Sequence, residues 1–174
     1  MSIDLTNTPE FRPLTGSRQI EYILWGAVGL FIGLIIFIPG YFQDLNFWSW
    51  VLGLFFVAAA FSISINNWNM KHTKIMLFPD EIQHYSKLRN VSIKWKDINR
   101  VQVNHGRLGD KIIVSGETGA FFFDSLSEIK VKGDVKEKTG FEKGEEILDT
   151  ILSQAGFSEM DKKEGSGFYY YSKI

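Results

Sequence analysis

YILWGAVGLFIGLIIFI (Tyr22–Ile38) and FWSWVLGLFFVAAAFSISI (Phe47–Ile65) are two runs without a charged side chain, joined by the short polar stretch PGYFQDLN (residues 39–46). At a helical rise of about 1.5 Å per residue, such runs cover roughly 25–29 Å, close to the hydrocarbon thickness of a bilayer. A core helix of a soluble domain carries a polar face, and neither run has one. The pair therefore predicts a transmembrane helical hairpin over residues 20–70. Pro39-Gly40 ends the first helix, and the short connection makes the two helices antiparallel neighbours.

Tyr22, Trp25, Tyr41, Trp48, Trp50 and Trp68 lie near the ends of the runs. Amphipathic rings prefer the headgroup zone there, so Tyr22, Trp25, Trp48, Trp50 and Trp68 read as membrane-interface anchors. Gly29 with Gly33 forms a small-xxx-small pair, as do Ala58 with Ser62 and Ala60 with Ser64. Such pairs let backbones approach closely, and Gly29, Gly33, Ala58 and Ser62 are the expected hairpin-packing positions.

The whole chain has 174 residues, fifteen Phe, no Cys and a formal charge of −1. Without the hairpin, the remainder is of single-domain size. A disulfide framework and a cysteine metal site are both ruled out. The first run is followed by a second span rather than a small-residue cleavage site, so it is expected to be retained and not removed as a secretory signal. Arg12 and Arg18 precede the hairpin, and Lys71, Lys74, Lys87 and Arg89 follow it; the turn between the runs carries only Asp44. Positive flanks on both sides predict an integral membrane protein with both termini in the cytoplasm or its equivalent, at an inner membrane or on the stromal or cytoplasmic side of a thylakoid.

Residues 1–19 read as a polar, extended N-terminal tail. From Thr73 the pattern turns to short strands: TKIMLF, IQHY, VSIKW, RVQVN, KIIVS and AFFFD, separated by Gly, Pro, Asp and Asn. Val91, Ile93 and Trp95 share one face of their strand, as do Val101 and Val103. Phe121, Phe122 and Phe123 in sequence predict a strand covered on both faces. Ser125–Lys143 is Lys/Glu-rich and reads as an exposed loop. FEKGEEILDTILSQAGF then predicts an amphipathic helix with Ile147, Leu148, Ile151 and Leu152 on one face and Gly156 as its stop. Residues 158–174 are either an edge strand (Phe168–Lys173) or a partner-binding tail.

The fold class is thus a membrane α-helical hairpin plus an α+β domain over residues 71–157. KIMLFPDEIQHYS, SIKWKDINRVQV and EEILDTIL, taken in that order, resemble the opening strand with its turn, the tryptophan, acidic residue and isoleucine leading into a strand, and the closing helix of the bacterial pleckstrin-homology-like (PH-like) domain of small membrane proteins. That resemblance implies an antiparallel β-sandwich or barrel capped by a C-terminal helix. Two N-terminal spans followed by such a domain, with the stretch KDINRVQVNHGRLGDKIIVSGETG, are more distantly similar to the photosystem I assembly factor family, with a shorter connection between the spans here.

His72, His84 and His105 stand at no metal-ligating spacing, GxSxG is absent, and the glycines of HGRLGD and SGETG suit hairpin turns rather than a phosphate loop. No enzyme, cofactor, metal, nucleic-acid or small-molecule substrate signature emerges. The charge is unevenly spread: Lys71–Arg107 holds eight basic and three acidic side chains, whereas Glu117–Glu164 holds seven basic and twelve acidic. The basic half begins at the membrane, where each Lys or Arg near an anionic surface contributes about 1 kcal/mol. Lys71, Lys74, Lys87 and Arg89 are the expected headgroup-facing residues. Pro79-Asp80-Glu81, the loop where eukaryotic PH-like domains usually hold headgroups, is acidic. The expected function is a non-enzymatic, membrane-anchored interaction module, an accessory subunit or assembly factor of a membrane complex, or one that self-associates. The alternative is a sensor of anionic lipid surfaces through the basic, membrane-proximal face.

Overall fold

In the computed structural model, which describes residues 3, 8–15, 18–38, 46–106, 109–131 and 134–173, the two apolar runs form helices α1 (Gln19–Phe37) and α2 (Phe47–Lys71). Both are long and apolar enough to cross a membrane. The expected turn at Pro39-Gly40, with Tyr41 and Asp44, lies outside the described residues. Ser17–Trp68 is one compact unit, and Met1–Gly16 with Asn69–Ile174 is another.

Within the helical unit, few apolar residues are buried. Among the described residues, Val28 in α1 and Gly53 and Ala60 in α2 are the buried ones, while Leu30, Phe37, Leu54 and Phe55 are mostly exposed. A Cβ on Gly53 would lie 2.5 Å from Cε1 of Phe31, so only glycine admits that ring. The Phe31 ring also meets Trp50 edge to face, with centroids 6.3 Å apart. Near the other end, Glu21 ties the helices together: it accepts hydrogen bonds from the Ser64 hydroxyl (2.9 Å) and the Asn67 amide (2.8 Å). Trp25 Nε1 donates to Ser64 at 2.9 Å. The packing positions expected from sequence are therefore corrected. A Cβ at Gly29 or Gly33 would meet nothing within 4 Å, and Ala58 and Ser62 are exposed. Helix rotation puts Gly53, Ala60 and Ser64 inward instead, and sequence spacing alone does not fix that rotation.

The second unit is α+β. Strands β1 (Glu10–Phe11), β2 (Lys74–Leu77), β3 (Glu81–Tyr85) and β4 (Asn90–Lys94) form an antiparallel sheet in that order. A 3-10 turn (Trp95–Asp97) leads to β5 (Ile98–Asn104), β6 (Lys111–Gly116) and β7 (Gly119–Asp124). These join β10 (Lys162–Gly165) and β11 (Phe168–Ser172) in a second sheet of order β10-β11-β5-β6-β7. Neither sheet closes into a barrel among the described residues.

Period-2 alternation decides the core. Ile75, Leu77, Ile82, Val91, Ile93 and Trp95 from the first sheet and its turn share one cluster with Val101, Val103, Ile112, Val114, Phe121 and Phe123 from the second. Helix α3 (Gly144–Ala155) adds Ile147, Leu148 and Ile151 to it. Full burial of one such aliphatic side chain stabilises by roughly 1.5–3 kcal/mol. Trp95 keeps its indole satisfied by donating to the Phe78 carbonyl at 3.0 Å. Gly156 ends α3 in the left-handed region (φ 72°), and the Phe157 amide returns to the Leu152 carbonyl at 2.9 Å.

Four expectations change here. The N-terminal tail is not wholly extended coil: Glu10 and Phe11 pair with Met76 and Ile75, and Leu14 bridges to Gly140. Ser125–Lys143 is not simply a loop, because β8 (Ser127–Val131) and β9 (Asp134–Thr139) form a two-stranded ribbon in which Glu128 and Lys138 face each other and pair at 3.0 Å. Phe168–Ser172 is an interior strand rather than an edge, since β10 covers its outer side. Phe121 and Phe123 are buried, but Phe122 is 56% exposed, so β7 is covered on one face only.

Candidate functional site

A small cleft of about 250 Å³ opens beside the end of β2 and is lined by Arg12, Lys71, His72, Thr73, Lys74, Tyr85 and Lys87. Each position has a local cause. Lys71 is the last residue of α2, and the Thr73 hydroxyl donates to the Asn69 carbonyl at 2.9 Å, closing that helix end. Lys74 and Tyr85 are register partners across β2 and β3, and the Lys74 ammonium stands 5.7 Å from the Tyr85 ring centroid. Lys87 projects from the β3–β4 turn. That turn is held by the buried Ser86, whose hydroxyl donates to the Arg89 carbonyl (2.9 Å) and accepts from the Arg89 amide (3.0 Å). Arg12 arrives from the far side of the helical hairpin in sequence, brought in by the pairing of β1 with β2.

One carboxylate balances part of this charge. Glu10 accepts from Arg12 Nε at 2.7 Å and from Lys74 Nζ at 2.9 Å. The Lys74 ammonium first, and then the Arg12 guanidinium, hold its carboxyl below the usual range. Among the described residues, Lys71 and Lys87 form no ion pair. Four cations thus stand against one carboxylate.

Sequence reasoning named three of these four cations. Lys71, Lys74 and Lys87 converge, whereas Arg89 does not line the cleft; its guanidinium lies 4.0 Å from where a Cβ on Gly119 would be. Arg12 reads from sequence only as part of the N-terminal flank, because nothing local marks a two-residue strand that pairs across more than sixty intervening positions.

A second surface is the outer face of the five-stranded sheet. Tyr170, Gln102, Ile113 and Phe122 form one row across β11, β5, β6 and β7. The Arg100 guanidinium lies 4.4 Å over the Tyr170 ring, and the Lys111 ammonium 4.3 Å over Phe122. Phe168 stacks on Tyr170 with centroids 6.3 Å apart. Arg100 donates to Gln102 (2.9 Å), and Gln102 donates to Asn104 (2.7 Å). Lys163 flanks this row opposite Tyr170, and Asp124 stands opposite Lys111. No stretch rule announced this face, because the consecutive phenylalanines masked the alternation.

The remaining candidates fall elsewhere. Tyr22, Trp25, Trp48 and Trp68 are exposed on the helices, and Trp50 is half-buried against Phe31. The histidines sit in three different settings. His72 lines the cleft. His84 stacks on Phe121 at 5.2 Å, and burial first, then Arg89, pushes its pKa down. His105 Nδ1 lies 3.0 Å from Asp110. Among the described residues, no cluster of three or more His, Asp or Glu side chains is arranged to hold a metal ion. A wider groove of about 650 Å³ runs past Asp80, Trp95, Lys96 and Gly156, with cations and the Asp80 carboxylate mixed along it. No family model, curated protein or solved structure matches the chain.

Proposed function

We propose that this chain is a membrane-anchored, non-enzymatic interaction module, serving as an accessory subunit or assembly factor of a membrane protein complex. The observation that carries this reading is the pairing of β1 with β2. These strands flank the two apolar helices in sequence yet belong to one sheet. A chain that crosses a bilayer twice returns both flanks to the same side, and two spans satisfy that requirement where one would not. Apolar side chains left exposed along α1 and α2 suit a lipid environment, since soluble surfaces rarely expose contiguous patches of that size. The Lys and Arg residues on both flanks favour the cytoplasmic side. The β2–β4 and β5–β7 meanders, with α3 after the β8–β9 ribbon, support a PH-like arrangement of the anchored unit.

The contact surface in this reading is the outer sheet face around Tyr170 and Phe122. Tyr, Phe and Arg are the residues that dominate binding energy at interfaces. Arg100, Lys111 and Lys163 against Asp124 give it a positive balance, so the partner contributes an acidic segment. A photoreactive amino acid in place of Phe122, in native membranes at native expression, should crosslink to one protein through an acidic stretch. Crosslinks only to lipid, or none, would overturn the assignment of this face.

A second reading is favoured by the basic cleft: the same unit contacts anionic lipid surfaces. Full-length protein in nanodiscs containing phosphatidylglycerol should show slower amide exchange at residues 71–74 and 85–89 than in phosphatidylcholine nanodiscs. The protection should fade with added salt. Equal exchange in both lipids at low salt would remove this reading.

A further inference from the structure

We infer that the cleft formed by Arg12, Lys71, Lys74, Tyr85 and Lys87 is a binding site for a phosphate monoester group. The inference rests on the lipid-contact reading above and narrows it from a charged surface to one chemical group. Three observations support it.

The first is charge. Four cations line the cleft, and the one carboxylate paired with them, Glu10, is engaged by Arg12 and Lys74 from beside it. A surplus of three positive charges suits a dianion better than a monoanion. A phosphate monoester carries about −1.5 to −2 at neutral pH and has three acceptor oxygens, whereas a diester carries one charge. The second is preorganisation. Glu10 holds the Arg12 and Lys74 side chains in place, which lowers the entropy lost when an anion is bound. Lys71 and Lys87, with no ion-pair partner among the described residues, are free to supply donors. The third is size. About 250 Å³ is below the usual 300–1,000 Å³ of small-molecule pockets, which fits a phosphate and a few attached atoms rather than a cofactor.

The site also differs in place from the acidic Pro79-Asp80-Glu81 loop. That loop sits at the opposite end of the β2–β3 hairpin, and Lys74 and Tyr85 mark the cleft's end. A hairpin with one acidic and one basic end presents only one of them to an anion.

Two sources carry the same doubly charged phosphate chemistry: the monoester headgroup of a lipid such as phosphatidic acid, and free phosphate. Full-length protein in mild detergent is titrated calorimetrically with short-chain phosphatidic acid, short-chain phosphatidylglycerol and inorganic phosphate, at constant ionic strength. Tighter binding of phosphatidic acid than of phosphatidylglycerol, with competition by inorganic phosphate, is the expected result. Comparable affinity for phosphatidic acid and inorganic phosphate points to free phosphate as the source; a marked preference for the lipid points to the headgroup. Lys71→Gln with Lys87→Gln should weaken monoester binding about tenfold or more, since two charge-assisted contacts are lost. Lys94→Gln with Lys96→Gln removes the same charge beyond the opposite end of the β2–β3 hairpin, where Lys94 pairs with Glu81, and should leave affinity unchanged. Thermal unfolding of each variant verifies its fold, and Lys87→Arg should retain binding.

Equal affinity for phosphatidylglycerol and phosphatidic acid, without competition by inorganic phosphate, overturns the monoester site while leaving the general lipid reading intact. Equal loss of affinity in the two double variants overturns the site as well. Loss of phosphatidylglycerol protection in nanodiscs is a separate result and removes the general reading.

Discussion

The helical pair and the β unit treat their apolar side chains in opposite ways. In the sheets, Ile75, Leu77, Ile82, Ile93, Ile98 and Val114 are fully buried. In the helices, residues just as apolar, such as Leu30, Leu52 and Phe55, remain exposed. The β unit follows the water rule, in which burial of apolar area drives packing. The helices instead meet through a ring seated on Gly53 and a polar cluster around Glu21, the kind of contact used where the surroundings are themselves apolar. Composition separates the two regions, and the placement of the few helix contacts shows how differently each packs.

The sharpest way to break this contrast is to truncate one aliphatic residue on each side. Ile93→Ala should cost about 2–5 kcal/mol, because its neighbours cannot close the cavity fully. Leu30→Ala should cost less than about 0.5 kcal/mol, as for substitutions away from packed features. Hydrogen exchange on the full chain in mild detergent reads both, region by region. A large loss at Leu30 would mean that α1 packs against protein along that face.

Next in size is Gly53→Val, which should destabilise the helix pair by about 1–3 kcal/mol through overpacking against Phe31. Gly29→Val, at a position open to its surroundings, should change little. Detergent-titration unfolding followed by tryptophan fluorescence compares them. Trp25, Trp48, Trp50 and Trp68 report on the helices, while Trp95 belongs to the β unit.

A pH effect sharpens the comparison from the β side. The folded pKa of His84 is lowered, chiefly by burial, so the neutral imidazole favours the folded state. Its contribution is present above the unfolded value of about 6.5 and is lost as pH falls through the lower folded value. Stability of the β unit should therefore decline on acidification below about pH 6.5, and His84→Gln should flatten that part of the profile. Urea midpoints measured from pH 7.5 down to pH 5 test it; an unchanged slope in the variant would assign the acid response to other groups.

The smallest expected effect is that of Glu10→Gln. Its ion pairs are partly exposed, and such pairs contribute about 0.2–1 kcal/mol. The consequence should be local: faster amide exchange at Glu10, Phe11 and Met76, with the rest of the sheet unchanged. A global loss of stability would give β1 a larger part in the fold than its two paired residues suggest.

Signals that live within a few residues were legible beforehand. The alternation of Val91, Ile93 and Trp95, and of Val101 and Val103, placed the core side of β4 and β5 correctly. The Ile147, Leu148 and Ile151 stripe placed α3, and Gly156 placed its end. Signals that depend on distant partners were not. Leu14 meets Gly140, and Glu10 meets Met76, through pairings that no local window contains. Tyr171 lies against Val101 because β11 enters between β5 and β10, and a terminal FYYYS run is equally compatible with an edge.

The sequence by itself determined that two helices built on uncharged runs precede a unit of short strands closed by one amphipathic helix. Hydrophobic periodicity and turn chemistry are local, and they act before any tertiary contact exists. Only the tertiary structure decided that Arg12 joins Lys71, Lys74 and Lys87, that Phe122 faces outward, and that Gly53 rather than Gly29 admits a neighbouring ring. Strand register and helix rotation are set by which distant surfaces fit together, and a difference of one residue or a fraction of a turn moves every such side chain to another face.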